Sequence, residues 1–320
     1  GKAMNDFVHD IWYFAGISSD FAPGKLIRRV IAGEPITLGR RQDGSMFALR
    51  DICPHRAAPL SAGQMKDDTV ECPYHGWRFG TRDGACQEIP ALCADQDLDP
   101  TRIKVRTFPA REDGHLVWVY LSSDKRFSGT PPIDPPAFPF AGRKPIMDDE
   151  LLLNCHVDHA VVGLMDPAHG PFVHRQWWWR SEKSMHEKAK AFEPRTRGFA
   201  MAAHSPSSNS FAYKLLGGKP VTEISFRLPG IRTEEITVGA KTLLSFTAVT
   251  PIDDNNTQIR QIFFTDMTLI RLLSPLLRRG ARASPATSPS RRCRRATQSA
   301  STMAAKAFAC RARRPAVRIW

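Results

Sequence analysis

The chain has 320 residues, 42% of them hydrophobic and 24% charged, and a formal net charge of +13. The excess sits in one place: Met267 to Trp320 holds twelve Arg, one Lys and no acidic residue, and everything before it balances to zero. A neutral body with a basic tail excludes reading the whole chain as a nucleic-acid-binding domain, and seven Cys in a chain this long exclude a disulfide scaffold.

No apolar run approaches the ~18 residues that cross a bilayer, and no signal-peptide pattern opens the chain. A cytoplasmic, reducing setting and no membrane partner are therefore expected. Gly1-Lys2-Ala3 ahead of Met4 reads as residues added before a native start.

From about Asp6 to Asp124, short apolar runs alternate with Gly, Asp and Pro. Leu26–Ile31, Pro35–Leu38, Met46–Leu49 and Val117–Leu121 have strand length and β-rich composition. Gln42-Asp43-Gly44-Ser45 and Arg82-Asp83-Gly84 carry the Asp-Gly turn signal. The expectation is a small antiparallel β domain over 1–128. Six prolines between Gly129 and Pro145 predict an extended connection. From Leu151 to about Arg180 the pattern suits a helix until Gly170-Pro171 interrupts it. Short runs then return between Asn209 and Phe264, among them Val221–Phe226 and Leu243–Thr247. The expected second domain, 146–282, is α+β, a helix set against an antiparallel sheet. The Arg-, Ala-, Ser- and Pro-rich stretch 283–320 has no periodicity and reads as a basic tail.

The first chemical signal is Cys53-Pro54-His55 followed by Cys72-Pro73-Tyr74-His75. Each clip offers one thiolate and one imidazole, so two loops can grip a metal centre from both sides. Tetrahedral zinc would use all four on one ion. A Rieske-type 2Fe–2S cluster would place both thiolates on one iron and both imidazoles on the other. Zinc fingers usually keep like ligands together, whereas this spacing mixes them. The stretch Cys53-Pro54-His55-Arg56-Ala57-Ala58-Pro59-Leu60-Ser61-Ala62-Gly63, with Cys72-Pro73-Tyr74-His75-Gly76-Trp77, closely resembles the Rieske domain of ring-hydroxylating oxygenases. That resemblance implies a 2Fe–2S cluster on Cys53, His55, Cys72 and His75.

The second signal is Asp166-Pro167-Ala168-His169-Gly170-Pro171-Phe172-Val173-His174. On an unbroken helix the two imidazoles would point about 140° apart, but Gly170-Pro171 ends the helix and lets the chain turn. Two His and a carboxylate with open positions form the facial triad of non-haem Fe(II) oxygenases. The segment resembles the family's D-x-x-H-x-x-x-x-H, which implies His169 and His174 as iron ligands. It also implies Asp166 as a bridge to the Rieske His of a neighbouring subunit in a homotrimer, and a helix-grip-like catalytic domain. Gly163 stands where many members carry Asn. His156 and His159 share a helix face and read as surface or core histidines, Trp177-Trp178-Trp179 as packing. Cys86, Cys93 and Cys155 read as buried small hydrophobes.

The family's third iron ligand, a late Asp, is not where the resemblance implies it, because positions 280–305 contain no acid. Asp253 and Asp254 fall in a turn signal and Asp266 ends a strand-like run; none matches the family context. Translation of GC-rich DNA out of frame yields this tail's composition, so the frame is expected to be lost near Arg282.

The resemblance implies the oxygenase component of a multicomponent system, hydroxylating or oxidatively demethylating an apolar aromatic-type substrate. Electrons would come from NAD(P)H through a separate reductase or ferredoxin, since the chain has no G-x-G-x-x-G. Arg56 and Arg78 could meet an acidic donor, or simply be solvated. If the third ligand is truly missing, the alternative is a Rieske electron carrier or a catalytically impaired homologue. Nucleic-acid binding by the tail would be non-specific and salt-dependent, a by-product of charge.

Overall fold

A computed structural model describes residues 7–93, 95–165, 192–204 and 221–268. The chain opens with β1 (Ile11–Ile17), β2 (Ile27–Ile31), β3 (Glu34–Arg40) and β4 (Met46–Arg50). Four short strands follow: β5 (Gln64–Lys66), β6 (Thr69–Glu71), β7 (Arg78–Gly80) and β8 (Cys86–Glu88). The first half closes with β9 (Thr107–Phe108), β10 (Ala110–Asp113) and β11 (Leu116–Leu121). These make three antiparallel sheets, in the orders β1-β11-β10, β2-β3-β4-β9 and β5-β6-β7-β8.

The second half contains β12 (Met147–Leu153), helix α1 (Val157–Met165), β13 (Phe192–Arg195), β14 (Gly198–His204), β15 (Val221–Arg227), β16 (Ile231–Val238), β17 (Lys241–Asp253) and β18 (Asn256–Thr265). Its strands form one antiparallel sheet in the order β12-β18-β17-β16-β15-β14-β13. The described residues are mostly antiparallel sheet, with α1 as the single α-helix among them. The long helical pattern expected from Leu151 is corrected: Leu151–Leu153 belongs to β12, paired residue for residue with Thr257–Ile259. A run of apolar residues fits either state, and here the partner strand decides.

β1 and β11 are buried along their whole length. Side chains alternate between the two faces of a strand, so both faces must be covered. Tyr13, Ala15, Val117 and Val119 pack with Ile36, Leu38 and Ala48 of the second sheet. Trp12, Phe14, Trp118 and Tyr120 pack with Phe246, Ala248, Ile262 and Phe264 of the seven-stranded sheet. The Pro-rich connection lies against this second core: the Trp12 indole donates to the Ile133 carbonyl (2.7 Å), and Phe138 stacks on Trp118.

A partly buried ionic staple joins the two halves. The Arg260 guanidinium on β18 donates to Asp148 on β12 (2.7 and 2.8 Å) and to Asp20 in the turn after β1. Burial pushes the Asp20 carboxyl up, but the hydrogen bonds and charge of Arg260, the Ile17 amide and Arg29 outweigh it. The net pKa is lowered.

Candidate metal centre

The two clips sit at the ends of loops that the sheets hold together. The first runs from the end of β4 to β5, the second from β6 to β7. Their roots share a third apolar core of Phe47, Leu49, Leu60, Val70, Phe79 and Val105, together with Cys53 and Cys72.

Each clip is a tight backbone turn closed by its own cysteine. The Ala57 amide donates to the Cys53 carbonyl (2.9 Å) and the Cys53 amide to that of Ala58 (2.8 Å). In the second clip the Gly76 amide donates to the Cys72 carbonyl (3.1 Å) and the Cys72 amide to that of Trp77 (2.8 Å). Both turns pass through the left-handed region, at Ala57 (φ 57°) and Gly76 (φ 71°). Glycine takes that conformation freely and alanine with strain.

Asp51 closes the base of the first loop. Its carboxylate, 2% exposed, accepts from the Thr37 hydroxyl (2.5 Å), the Ser61 amide (2.6 Å) and the Ser61 hydroxyl (2.7 Å). It thereby ties both ends of the loop to β3. Sequence reasoning missed this residue, because an Asp before a loop carries no signal that its partners lie 10 and 14 residues away.

The side chains divide by type. Cys53 and Cys72 are buried together in the same apolar core. Burial pushes the Cys53 thiol up, contact with Cys72 adds to it, and the amides of His55 and Arg56 pull the other way by donating to the sulfur. His55 and His75 lie at the outer end, with ring centroids 4.5 Å apart at 62°. Burial together with the charges of His75 and Arg56 lowers the His55 pKa, which favours the neutral imidazole a metal requires. Pro54, Arg56, Pro73, Tyr74 and His75 are exposed around them. Among the described residues no group of three or more His, Cys, Asp or Glu is arranged to hold a single metal ion. A tetrahedral ion requires convergence. Paired thiols behind paired imidazoles fit a two-iron cluster, one pair to each iron.

Asp166, His169 and His174 lie outside the described residues, as do Trp177-Trp178-Trp179 and the tail 283–320. Of the carboxylates weighed as a third ligand, Asp253 accepts from Asn255 and Asn256 in the β17–β18 turn, and Asp266 accepts from the Thr242 amide (2.7 Å). Each has a local structural task. His156 is half-buried and stacks on Phe7, and His159 is exposed. Cys86 is buried as expected, but the expectation for two other cysteines is corrected: Cys93 is exposed in the loop after β8 and Cys155 is half-buried. Neither spacing nor composition distinguishes a thiol on a loop surface from one under it. Arg78 serves inside the third sheet, donating to Glu88 (2.8 Å) and Thr69 (3.1 Å), while Arg56 is exposed.

Comparison with known proteins agrees with this geometry. Residues 11–109 match the family model of the Rieske [2Fe-2S] domain. The oxygenase component of dicamba O-demethylase from Stenotrophomonas maltophilia is 34% identical over 175 residues, covering 53% of this chain and 48% of that protein. Chlorophyllide a oxygenase, chloroplastic, from Arabidopsis thaliana is 27% identical over 168 residues, covering 52% of this chain and 29% of that protein. The chain thus matches half or less of the length of these relatives. The crystal structure of apo dicamba monooxygenase superposes with a TM-score of 0.69 at 22% identity, covering 98% of this chain and 92% of that one. That likeness is one of fold. No helix among the described residues is long and apolar enough to cross a membrane.

Proposed function

With residues 11–109 a Rieske [2Fe-2S] domain akin to those of known oxygenase components, we propose that the chain is the oxygenase component of a multicomponent system. Its reaction in this reading is hydroxylation or oxidative demethylation of an apolar, aromatic-type substrate. The observation that carries the reading is the division of the clips into a buried thiol pair and an outer imidazole pair. Cys53 and Cys72 would hold one iron, His55 and His75 the other. When bound, the cluster supplies one-electron transfer at a potential raised above that of all-cysteine clusters by its imidazole ligands. The protein contributes a dry, apolar floor under the thiolates and leaves the imidazole end at the surface, where electrons can be exchanged.

The remaining parts of the proposal rest on the sequence. His169 and His174 would hold a mononuclear Fe(II), which supplies dioxygen activation in such sites, within a helix-grip-like domain. Asp166 would link that site to the His of a neighbouring subunit in a homotrimer. Electrons would come from NAD(P)H through a separate reductase or ferredoxin, in the cytoplasm. The demethylase relative supports the demethylation arm.

A second reading, an electron carrier or impaired homologue, is favoured by the structural tasks of Asp253 and Asp266 and by the acid-free stretch after them. Iron content separates the two. About three irons per chain supports the oxygenase, and about two supports the carrier. Oxygen uptake with a surrogate reductase, scored across aromatic acids and methyl ethers, then tests the activity. Substrate-dependent uptake supports the oxygenase, and its absence from a two-iron protein overturns it.

A further inference from the structure

We propose that Trp77 is a positioning residue: its indole is the platform that sets the plane of the His55 imidazole, so the second clip orients a ligand of the first. The inference rests on the 2Fe–2S reading above. The Trp77 and His55 rings are parallel to within 3°, with centroids 4.6 Å apart. An offset stack at this separation is a favourable aromatic arrangement. The platform is itself fixed. The Trp77 carbonyl accepts from the Cys72 amide (2.8 Å), and the indole packs against the apolar core beneath the thiols, beside Phe79.

The turn at Gly76 makes the arrangement possible. Its left-handed backbone reverses the chain between His75 and Trp77, so the rings of these two residues both reach His55, one at 62° and the other flat against it. Metal-bound histidines are usually oriented by a hydrogen bond from the second ring nitrogen. Among the described residues no protein group hydrogen-bonds the His55 ring, and the aromatic face takes over the orienting task. Ring plane matters because it governs how the imidazole lone pair meets the iron, and therefore the symmetry of the electronic state.

Trp77→Phe keeps a ring at this position and Trp77→Leu removes it. Each variant and the parent are purified with their cluster and compared by far-UV circular dichroism, iron and sulfide content, EPR of the reduced state and cluster loss to a chelator. The expected result is a folded W77L whose EPR signal is shifted and broadened and whose cluster is lost about ten-fold faster, with W77F close to the parent. Parent-like spectra and retention in a folded W77L would overturn the proposal. So would equal damage in W77F and W77L, since that marks a packing role specific to tryptophan. If W77L does not fold, Trp77→Met gives the same comparison, because it keeps apolar bulk without a ring. A parent that binds no 2Fe–2S overturns the cluster reading itself, whereas a parent with a cluster and an unaffected leucine variant overturns the platform alone.

Discussion

At the residue scale, the two clips depend on a side chain outside both of them. Asp51 receives three hydrogen bonds in a buried position. Truncation to alanine leaves the Thr37 and Ser61 donors without a partner, and buried unsatisfied donors are costly. Asp51→Ala is expected to lose about 3 kcal/mol of stability and to loosen the cluster, read by urea denaturation and by the iron retained after gel filtration. Thr37→Val removes only one of the three and should cost about 1 kcal/mol. The candidate ligands stand out in the sequence, because Cys-x-His and Cys-x-x-His clips mix two ligand types at short spacing. Asp51 was not, since burial and its partners arise only when the β4–β5 loop folds back on β3.

At the element scale, two short sheets hold the clips in register. Gly63 lies between the first loop and β5, and a Cβ there would stand 1.9 Å from the Glu71 carbonyl oxygen on β6. Close backbone approach, and not a special dihedral angle, demands glycine. Gly63→Ala must push β5 away from β6, at about 1–3 kcal/mol, with cluster loss detectable as bleaching during a thermal ramp at lower temperature than in the parent. The strands Glu34–Arg40 and Met46–Arg50 contain the runs predicted from composition. The strand Ile11–Ile17 was not anticipated, because burial on both faces removes the alternation that marks a half-exposed strand. The three-residue strands β5–β8 lack enough residues to carry a period. Leu151–Leu153 was misassigned because an apolar triplet fits helix or strand equally.

At the scale of the whole molecule, the first and second halves share the aromatic core around Trp118 and Phe246 and the Asp20–Arg260–Asp148 staple. Arg260→Met leaves two partly buried carboxylates facing each other. The expected loss is about 2 kcal/mol, discounted from the fully buried case because both carboxylates retain some solvent. The staple also sets an acid limit. The Asp20 carboxyl is lowered in the folded state, so its contribution is complete above the ordinary carboxylate value near pH 4 and fades as pH falls through the lower folded value. Thermal unfolding followed from pH 6 downward should show a steeper acid loss in the parent than in Arg260→Met, where that contribution is already gone. The charge imbalance of the chain belongs at this scale too: the charge-balanced sequence before Met267 contains both motifs, and the acid-free stretch falls where the family resemblance implies a third iron ligand.

The central claim is a 2Fe–2S cluster on Cys53, His55, Cys72 and His75. It is tested most directly by iron, zinc and acid-labile sulfide analysis of the purified chain alongside EPR of the dithionite-reduced protein. The predicted result is about two sulfides with at least two irons per chain and a Rieske-type signal that disappears in Cys53→Ser. One zinc per chain, no labile sulfide and no reduced-state signal would contradict it.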